Sequence, residues 1–400
     1  MKGIADHMRK PWWPLLGACL IMISLIVSGL AMSGQQDGDD EANRTTKVDQ
    51  EFVTDQAEDT NRPPLMEKLT QELSLLREPL DNMSEWLQPI VSNYYSSNEP
   101  INLIQTDLDQ DGVSNEWVTV LFEDIYDKQS GGLAQCNAYG VIITYSDSKF
   151  NVHHFTFPEE SFGKAKVEAI EDLTGDDKPE VVWVSYNSGA HTTLSTFTVS
   201  SLLDGSLITY EGSTEIAYVS KSEIIDRKLM ITGGLIGSAG AGPWQREYTD
   251  TYTIVNQTIQ LIDRVFANSS TPYHHLIDGL WAEAHGHSKR ALQSFTEASK
   301  MATSSYKPYA FIFGGEWVEG GVDTDQEKEF EHIVKKFSLL RKELLTKKMQ
   351  GKTPEAACAN AKEAAGYDDD WQTYLNAPAG YANPVWSKET VCSNIDELEQ

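Results

Sequence analysis

Residues 107–116 read Asp-Leu-Asp-Gln-Asp-Gly-Val-Ser-Asn-Glu. Carboxylates at loop positions 1, 3 and 5 (Asp107, Asp109, Asp111) converge on one point. Gly112 at position 6 permits the sharp turn, and the Val113 carbonyl adds an oxygen at position 7. Asn115 or Glu116 closes the sphere. Hard oxygen donors at this spacing suit Ca²⁺. Position 12 is Val118 and a strand pattern follows, so this is not a full EF-hand. The competing reading is a solvated acidic turn.

A degenerate second copy runs Asp172-Leu173-Thr174-Gly175-Asp176-Asp177-Lys178-Pro179-Glu180. It aligns with the first if one residue is inserted before Asn115. Thr174 replaces a carboxylate and Asp177 replaces the turn glycine. Asp172, Thr174, Asp176 and Glu180 remain as candidate ligands. A metal-free turn held by Asx-type hydrogen bonds is the alternative.

Both loops lead into strand patterns, at Trp117 and at Val181. In this they resemble the calcium loops of FG-GAP (integrin α-type, VCBS-like) repeats. A third, eroded copy lies at Ile224–Ile231, before Gly233-Gly234. The resemblance spans roughly 100–235 and is specific only at the two Asp loops. It implies propeller-blade-like repeats with structural metals. A closed propeller needs four or more blades, and roughly 165 residues of β sequence supply two or three. The expected result is an open or sandwich-like β unit, its edges covered by flanking helices.

Other candidates are weaker. His191 follows a strand end among polar neighbours. Gly237 and Gly240 belong to a glycine-rich run, 233–243, that matches no nucleotide fingerprint and reads as a wide loop able to line a ligand site. His274-His275 and His285/His287 lie at opposite ends of one helix, roughly 15 Å apart, too far for one zinc ion. Paired acids such as Glu159-Glu160 are commonplace in so acidic a chain. No nucleophile elbow, zinc-protease helix or kinase motif is present in the sequence.

The elements that must position these loops follow from hydropathy. Leu65, Leu69, Leu73 and Leu76, then Leu80 to Tyr94, keep a helical period over 64–95, with Pro79 and Pro89 as breaks. Runs rich in Val, Ile, Thr, Tyr and Phe then recur to about residue 266, including 117–122, 139–145, 181–186, 248–255 and 259–265. Such spacing predicts an antiparallel β domain. Helical periodicity returns at Thr271-Pro272, an N-cap with Pro at N1. Further helices follow near 290, over 325–349 with Gly351 as C′ residue, and from Thr353-Pro354 to Gly366. The final thirty or so residues read as loop. Gly279, Ala282, Ala291, Phe295 and Ala298 have the spacing of one tetratricopeptide-like hairpin. That resemblance implies a protein- or peptide-binding role; an ordinary αα-hairpin is the alternative.

Net charge divides the chain. Lys and Arg number 32 against 60 Asp and Glu, a net of −28. This excludes a nucleic-acid partner. The first 34 residues carry +2 (Lys2, Arg9 and Lys10 against Asp6), so the remainder carries −30. Leu15–Met32 is uncharged, apolar and preceded by Trp12-Trp13. It reads as a membrane-spanning signal anchor with its basic side cytoplasmic. Cleavage after Ala31 and lipidation at Cys19 are the alternatives, with the same topology.

The fold class is thus α+β, in five parts: a cytoplasmic tip and transmembrane anchor (1–34), an acidic disordered stalk (35–62), a helical segment (63–98), an FG-GAP-like β domain (99–267) and a helical domain (268–400). Outside the cytoplasm Cys358 and Cys392 form the expected disulfide, leaving Cys136 as a free thiol; pairing with Cys136 is the competing arrangement. The expected function is a membrane-anchored, extracytoplasmic, non-catalytic Ca²⁺-binding module. It would bind a protein or glycan at the surface of a bacterial cell. The alternative is a cell-envelope hydrolase with structural calcium.

Overall fold

The computed structural model describes residues 62–97, 99–126, 133–158, 164–188, 192–212, 214–235, 246–269, 271–301, 324–376 and 385–394. The expected anchor and stalk, His191, Gly237 and Gly240 lie outside these residues. Among the described residues no helix is long and apolar enough to cross a membrane.

Two helices come first, α1 (Leu65–Leu73) and α2 (Met83–Ser92). The break falls between them, around Pro79. Pro89, expected to kink or break the helix, lies inside α2. The first N–H of α1, from Leu65, is accepted by Glu123 Oε1 at 3.0 Å, so a strand residue caps this helix from outside.

Thirteen described strands form three antiparallel sheets, and none closes into a barrel. The first sheet is a meander of β1 (Ile104–Thr106), β2 (Glu116–Tyr126), β3 (Leu133–Ser146) and β4 (Lys149–Thr156). The second holds β5 (Ala165–Glu171), β6 (Glu180–Ser188), β7 (Thr193–Leu203) and β8 (Ser206–Thr209), with β9 (Glu215–Ala217) also on β7. The third is β10 (Lys221–Ile225), β11 (Lys228–Gly233), β12 (Tyr248–Val255) and β13 (Thr258–Phe266). Two-residue turns with positive φ at both positions join β3 to β4 (Asp147-Ser148), β10 to β11 (Asp226-Arg227) and β12 to β13 (Asn256-Gln257). This turn geometry matches the natural strand twist.

The sheets stack face to face. In β2, Trp117 and Leu121 pack under α1 and α2, while Val118 and Val120 face the second sheet. In β6, Val181 and Trp183 face the first sheet, and Val182 and Val184 face the third. Central strands are therefore buried on both sides, which explains why they read as continuous apolar runs instead of alternating ones. The expected edge-covering role does not hold for α1 and α2, whereas the helix Pro272–Ala284 packs on the edge strand β13. α1 and α2 cover the outer face of the first sheet, because Leu65, Leu69, Leu73 and Leu87 bury against Trp117, Leu121 and Val141.

At the far end stand α3 (Pro272–Ala284), α4 (Ser288–Lys300), α5 (Thr324–Met349), α6 (Pro354–Ala365) and the short α7 (Trp371–Leu375). Thr271 and Thr353 cap α3 and α6 through their hydroxyls. Gly351 and Gly366 end α5 and α6 at positive φ, with the Lys352 and Tyr367 N–H groups reaching back to Lys347 and Lys362. Gly279 lets Phe295 lie against the α3 backbone, where a Cβ would collide with its ring. Cys358 and Cys392 are disulfide-bonded, and Cys136 is a buried free thiol. The bond pins the 385–394 turn to α6, and from α5 buried Arg341 donates to Val391 O, Ser393 O and Glu283 Oε2. α7 falls in the tail that periodicity reads as loop.

Arginines tie the third sheet to the helices. Arg264 grips buried Asp250 with two hydrogen bonds of 2.6 and 2.7 Å. Its guanidinium lies between the rings of Tyr248 and Trp281, at 3.9 and 4.1 Å from their centroids. Arg246 bridges from Ala267 O to Asp278, and Arg290 pairs with Asp263 at 2.7 Å.

Candidate metal centre

The loop 107–115 connects the first two strands of the first sheet, and 172–179 makes the same connection in the second. Both are built alike. Leu108 and Leu173 are buried in the two inter-sheet cores and anchor their loops. Their N–H groups donate to the first residue of the following strand: Leu108 to Glu116 Oε2 at 3.0 Å and Leu173 to Glu180 Oε2 at 2.7 Å. The leading aspartate accepts from a glycine N–H in each, Asp107 from Gly112 at loop position 6 and Asp172 from Gly175 at position 4, while Asp177 takes position 6 of the second loop at φ +67°. These glycines have φ of +87° and +85°, a conformation that a Cβ makes costly.

In the first loop, one oxygen from each of Asp107, Asp109 and Glu116 lies within 4.8 Å of the others. Asp107 Oδ1 is buried without a hydrogen-bond donor, and so is Asn115 Oδ1. Asn115 turns its Nδ2 to the Tyr145 carbonyl. Asp109 and Asp111 accept from the N–H groups of Asp111 and Val113, the Asx turns that shape the loop. Asp111 lies outside the three-oxygen group, and the Val113 carbonyl accepts from Asn115 N–H.

Glu116 is 2% exposed. Burial, countered by the Leu108 N–H and reinforced by the charges of Asp109, Asp107 and Asp111, pushes its carboxyl up to about 7. Three or four carboxyls around unpaired buried oxygens repel one another, and a hard divalent cation relieves that repulsion. The three convergent carboxylates are hard oxygen donors of the type a divalent cation takes.

The second loop does not gather such a group. Glu180 carries four donors: the N–H groups of Leu173 and Thr174, the Thr174 hydroxyl and the Tyr210 hydroxyl. Burial raises its carboxyl, with these hydrogen bonds acting in the opposite direction. Asp176 accepts from Lys178 N–H. Asp172 Oδ2 lies 3.7 Å from Arg227 Nε. Arg227 comes from the β10–β11 turn, inside the segment read as the third copy, which the structure makes a two-residue hairpin with no acidic loop.

The histidines are dispersed. His274 meets Ser269, His275 meets Asp278 and Glu297, and His285 bonds the Trp281 carbonyl. Burial lowers the basicity of His153, and His154 beside it adds to the effect. A cleft of ≈ 160 Å³ lies between α2, the segment 99–102, β2 and β5; Tyr95, Phe122, Val167 and Lys166 are on its wall.

The anchoring of the loops by Leu108 and Leu173, and the arrival of Arg227, were not expected from the sequence. The repeated Asp-Leu dipeptide was a usable signal for the first. No local pattern points to Arg227, which lies 55 residues from Asp172 (227 − 172). No protein-family model matches the sequence, and no curated protein does.

Proposed function

We propose that the protein is a calcium-binding, non-catalytic interaction module held outside the cytoplasm by its N-terminal segment. The observation that carries this reading is the convergence of one oxygen each from Asp107, Asp109 and Glu116, in a loop that also holds a buried, donor-free Asp107 Oδ1. Calcium there is structural. It clamps the β1–β2 connection to the first residue of β2 and so stiffens the first sheet. The loop's design, with a buried leucine, a closing glutamate and a turn glycine, supports membership in the FG-GAP-like class that its sequence resembles.

The compartment reading draws support from the Cys358–Cys392 disulfide, which persists in oxidising surroundings. The apolar, uncharged run 15–32 and the −30 remainder favour a cytoplasmic tip with the bulk of the chain outside. The ligand class is a protein or a glycan at the cell surface. The α3–α4 hairpin, with its tetratricopeptide-like spacing, offers the helical surface for a protein, and crosslinking in intact cells identifies that partner.

Calcium is tested by thermal melts of the full chain. A ligand present at about 100 times its Kd, binding only the native state, stabilises by about 2.7 kcal/mol. Ca²⁺ should therefore raise the midpoint by several degrees over EDTA, and Asp109→Ala should erase the difference. Equal midpoints for the wild type in Ca²⁺ and EDTA would reject the reading.

A further inference from the structure

Each loop has a glycine that donates its N–H to the leading aspartate, Gly112 at loop position 6 and Gly175 at position 4, and the two differ in what lies over that glycine. At Gly112 an added Cβ would meet nothing within 4 Å. At Gly175 it would collide with the guanidinium of Arg227. The same guanidinium lies 3.7 Å from Asp172 Oδ2, the second oxygen of the aspartate that receives the Gly175 N–H. Asp107, its counterpart, has one oxygen on Gly112 N–H and the other buried without a donor. Thus the oxygen left unpaired in the first loop is paired with a guanidinium in the second.

We propose that Arg227 is the resident cation of the second loop. Its guanidinium replaces a metal ion there, so that the chain takes a single Ca²⁺, at the first loop.

The remaining chemistry of the second loop agrees. A divalent cation needs several free oxygens at 2.3–2.6 Å. Thr174 stands where Asp109 stands in the first loop, removing one carboxylate. Glu180 has its oxygens committed to four protein donors, whereas Glu116 accepts from the Leu108 N–H. What is left to neutralise is mainly Asp172, and a monovalent guanidinium is sufficient for that. A guanidinium also brings fixed N–H donors, so it holds a carboxylate without a coordination shell. The arrangement joins neighbouring sheets, because Asp172 precedes β6 and Arg227 belongs to the β10–β11 turn. In the first loop the clamp is local to one sheet.

The count of one ion rests on the calcium reading; the role of Arg227 does not. Hydrogen exchange on the full chain separates them. In the wild type, Ca²⁺ should slow exchange in 105–118 and leave 170–182 unchanged relative to EDTA. Arg227→Gln should speed exchange in 170–182 by about two- to five-fold in EDTA, the factor an exposed ion pair of this kind supports, and leave 105–118 unchanged. Arg227→Lys should recover part of the protection. Ca²⁺-dependent protection of 170–182 in the wild type would overturn the proposal, as would Arg227→Gln without effect there. If 105–118 shows no response to Ca²⁺, the calcium reading fails and the Arg227→Gln arm still decides.

Discussion

The loops at 107–116 and 172–180 share a buried leucine, a positive-φ glycine whose N–H meets the leading aspartate (at position 6 in the first and position 4 in the second) and a glutamate that closes back on the leucine N–H. They differ in how charge is settled. The first keeps three convergent carboxylates and a donor-free oxygen. The second gives its glutamate four donors and its aspartate a guanidinium. The frame of such a loop is therefore separable from its occupant. Apolar anchoring and backbone geometry build the frame, and the unpaired oxygens of the first loop are what the proposed calcium would occupy.

The shared frame predicts the largest and most equal effects. Leu108→Ala and Leu173→Ala each remove a buried side chain from an inter-sheet core. Each should cost about 2–5 kcal/mol in denaturant unfolding. The cost of Leu173→Ala should be the same in Ca²⁺ and EDTA. That of Leu108→Ala should be larger in Ca²⁺, because it disturbs the loop proposed to carry the ion. Equal calcium dependence for both variants would break the distinction between the loops.

The glutamates should respond with opposite signs. The Glu116 carboxyl is raised from 4.5 to about 7. The native state thus holds a proton between pH 4.5 and 7 that the unfolded state has released. Without metal, this group's contribution to stability declines as pH rises through that window and stays lost above it. Glu116→Gln should flatten the decline and raise metal-free stability at pH 8 by roughly 3–4 kcal/mol, at about 1.4 kcal/mol per pKa unit. It should also abolish the calcium response. Glu180→Gln should instead lower stability by about 1 kcal/mol, because an amide nitrogen faces donors that a carboxylate oxygen accepted. Chemical denaturation across pH 5–8 in EDTA reads both.

How far these features were legible from the chain depends on sequence distance. The strands at 248–255 and 259–265 and the caps at Thr271, Thr353 and Gly366 follow from local periodicity and turn chemistry, and the structure places them there. Asp107, Asp109 and Glu116 fall within ten residues, so their convergence is a property of one loop. The face-to-face stacking was less accessible. A strand buried on both sides, such as 180–186, loses the alternation that tells one face from the other. Hence α1 and α2 looked like edge covers when they are face covers. Glu123 capping α1, Asp250 gripping Arg264 and Arg227 reaching Asp172 are long-range polar pairs. Each partner alone is an ordinary surface-type residue in an acidic chain, and folding alone brings them together. α7 is five residues long, too short for its period to register.

The smallest effect discriminates most finely, because it reads the occupant without touching a carboxylate. Gly112→Ala and Gly175→Ala both place a Cβ at strongly positive φ, which costs about 1 kcal/mol. At Gly112 there is no further obstacle. At Gly175 the new methyl must displace the Arg227 guanidinium, the far end of a flexible and 59% exposed side chain. The extra cost is therefore a few tenths of a kcal/mol, within the range of exposed ion pairs. A double-mutant cycle isolates it. Gly175→Ala and Arg227→Ala should be non-additive, since either one removes the same contact. Gly112→Ala and Arg227→Ala should add, since they act in different loops. Additivity in the Gly175 cycle would mean that the guanidinium beside Asp172 contributes nothing to the loop, and the two loops would then differ only in the first one's need for a metal.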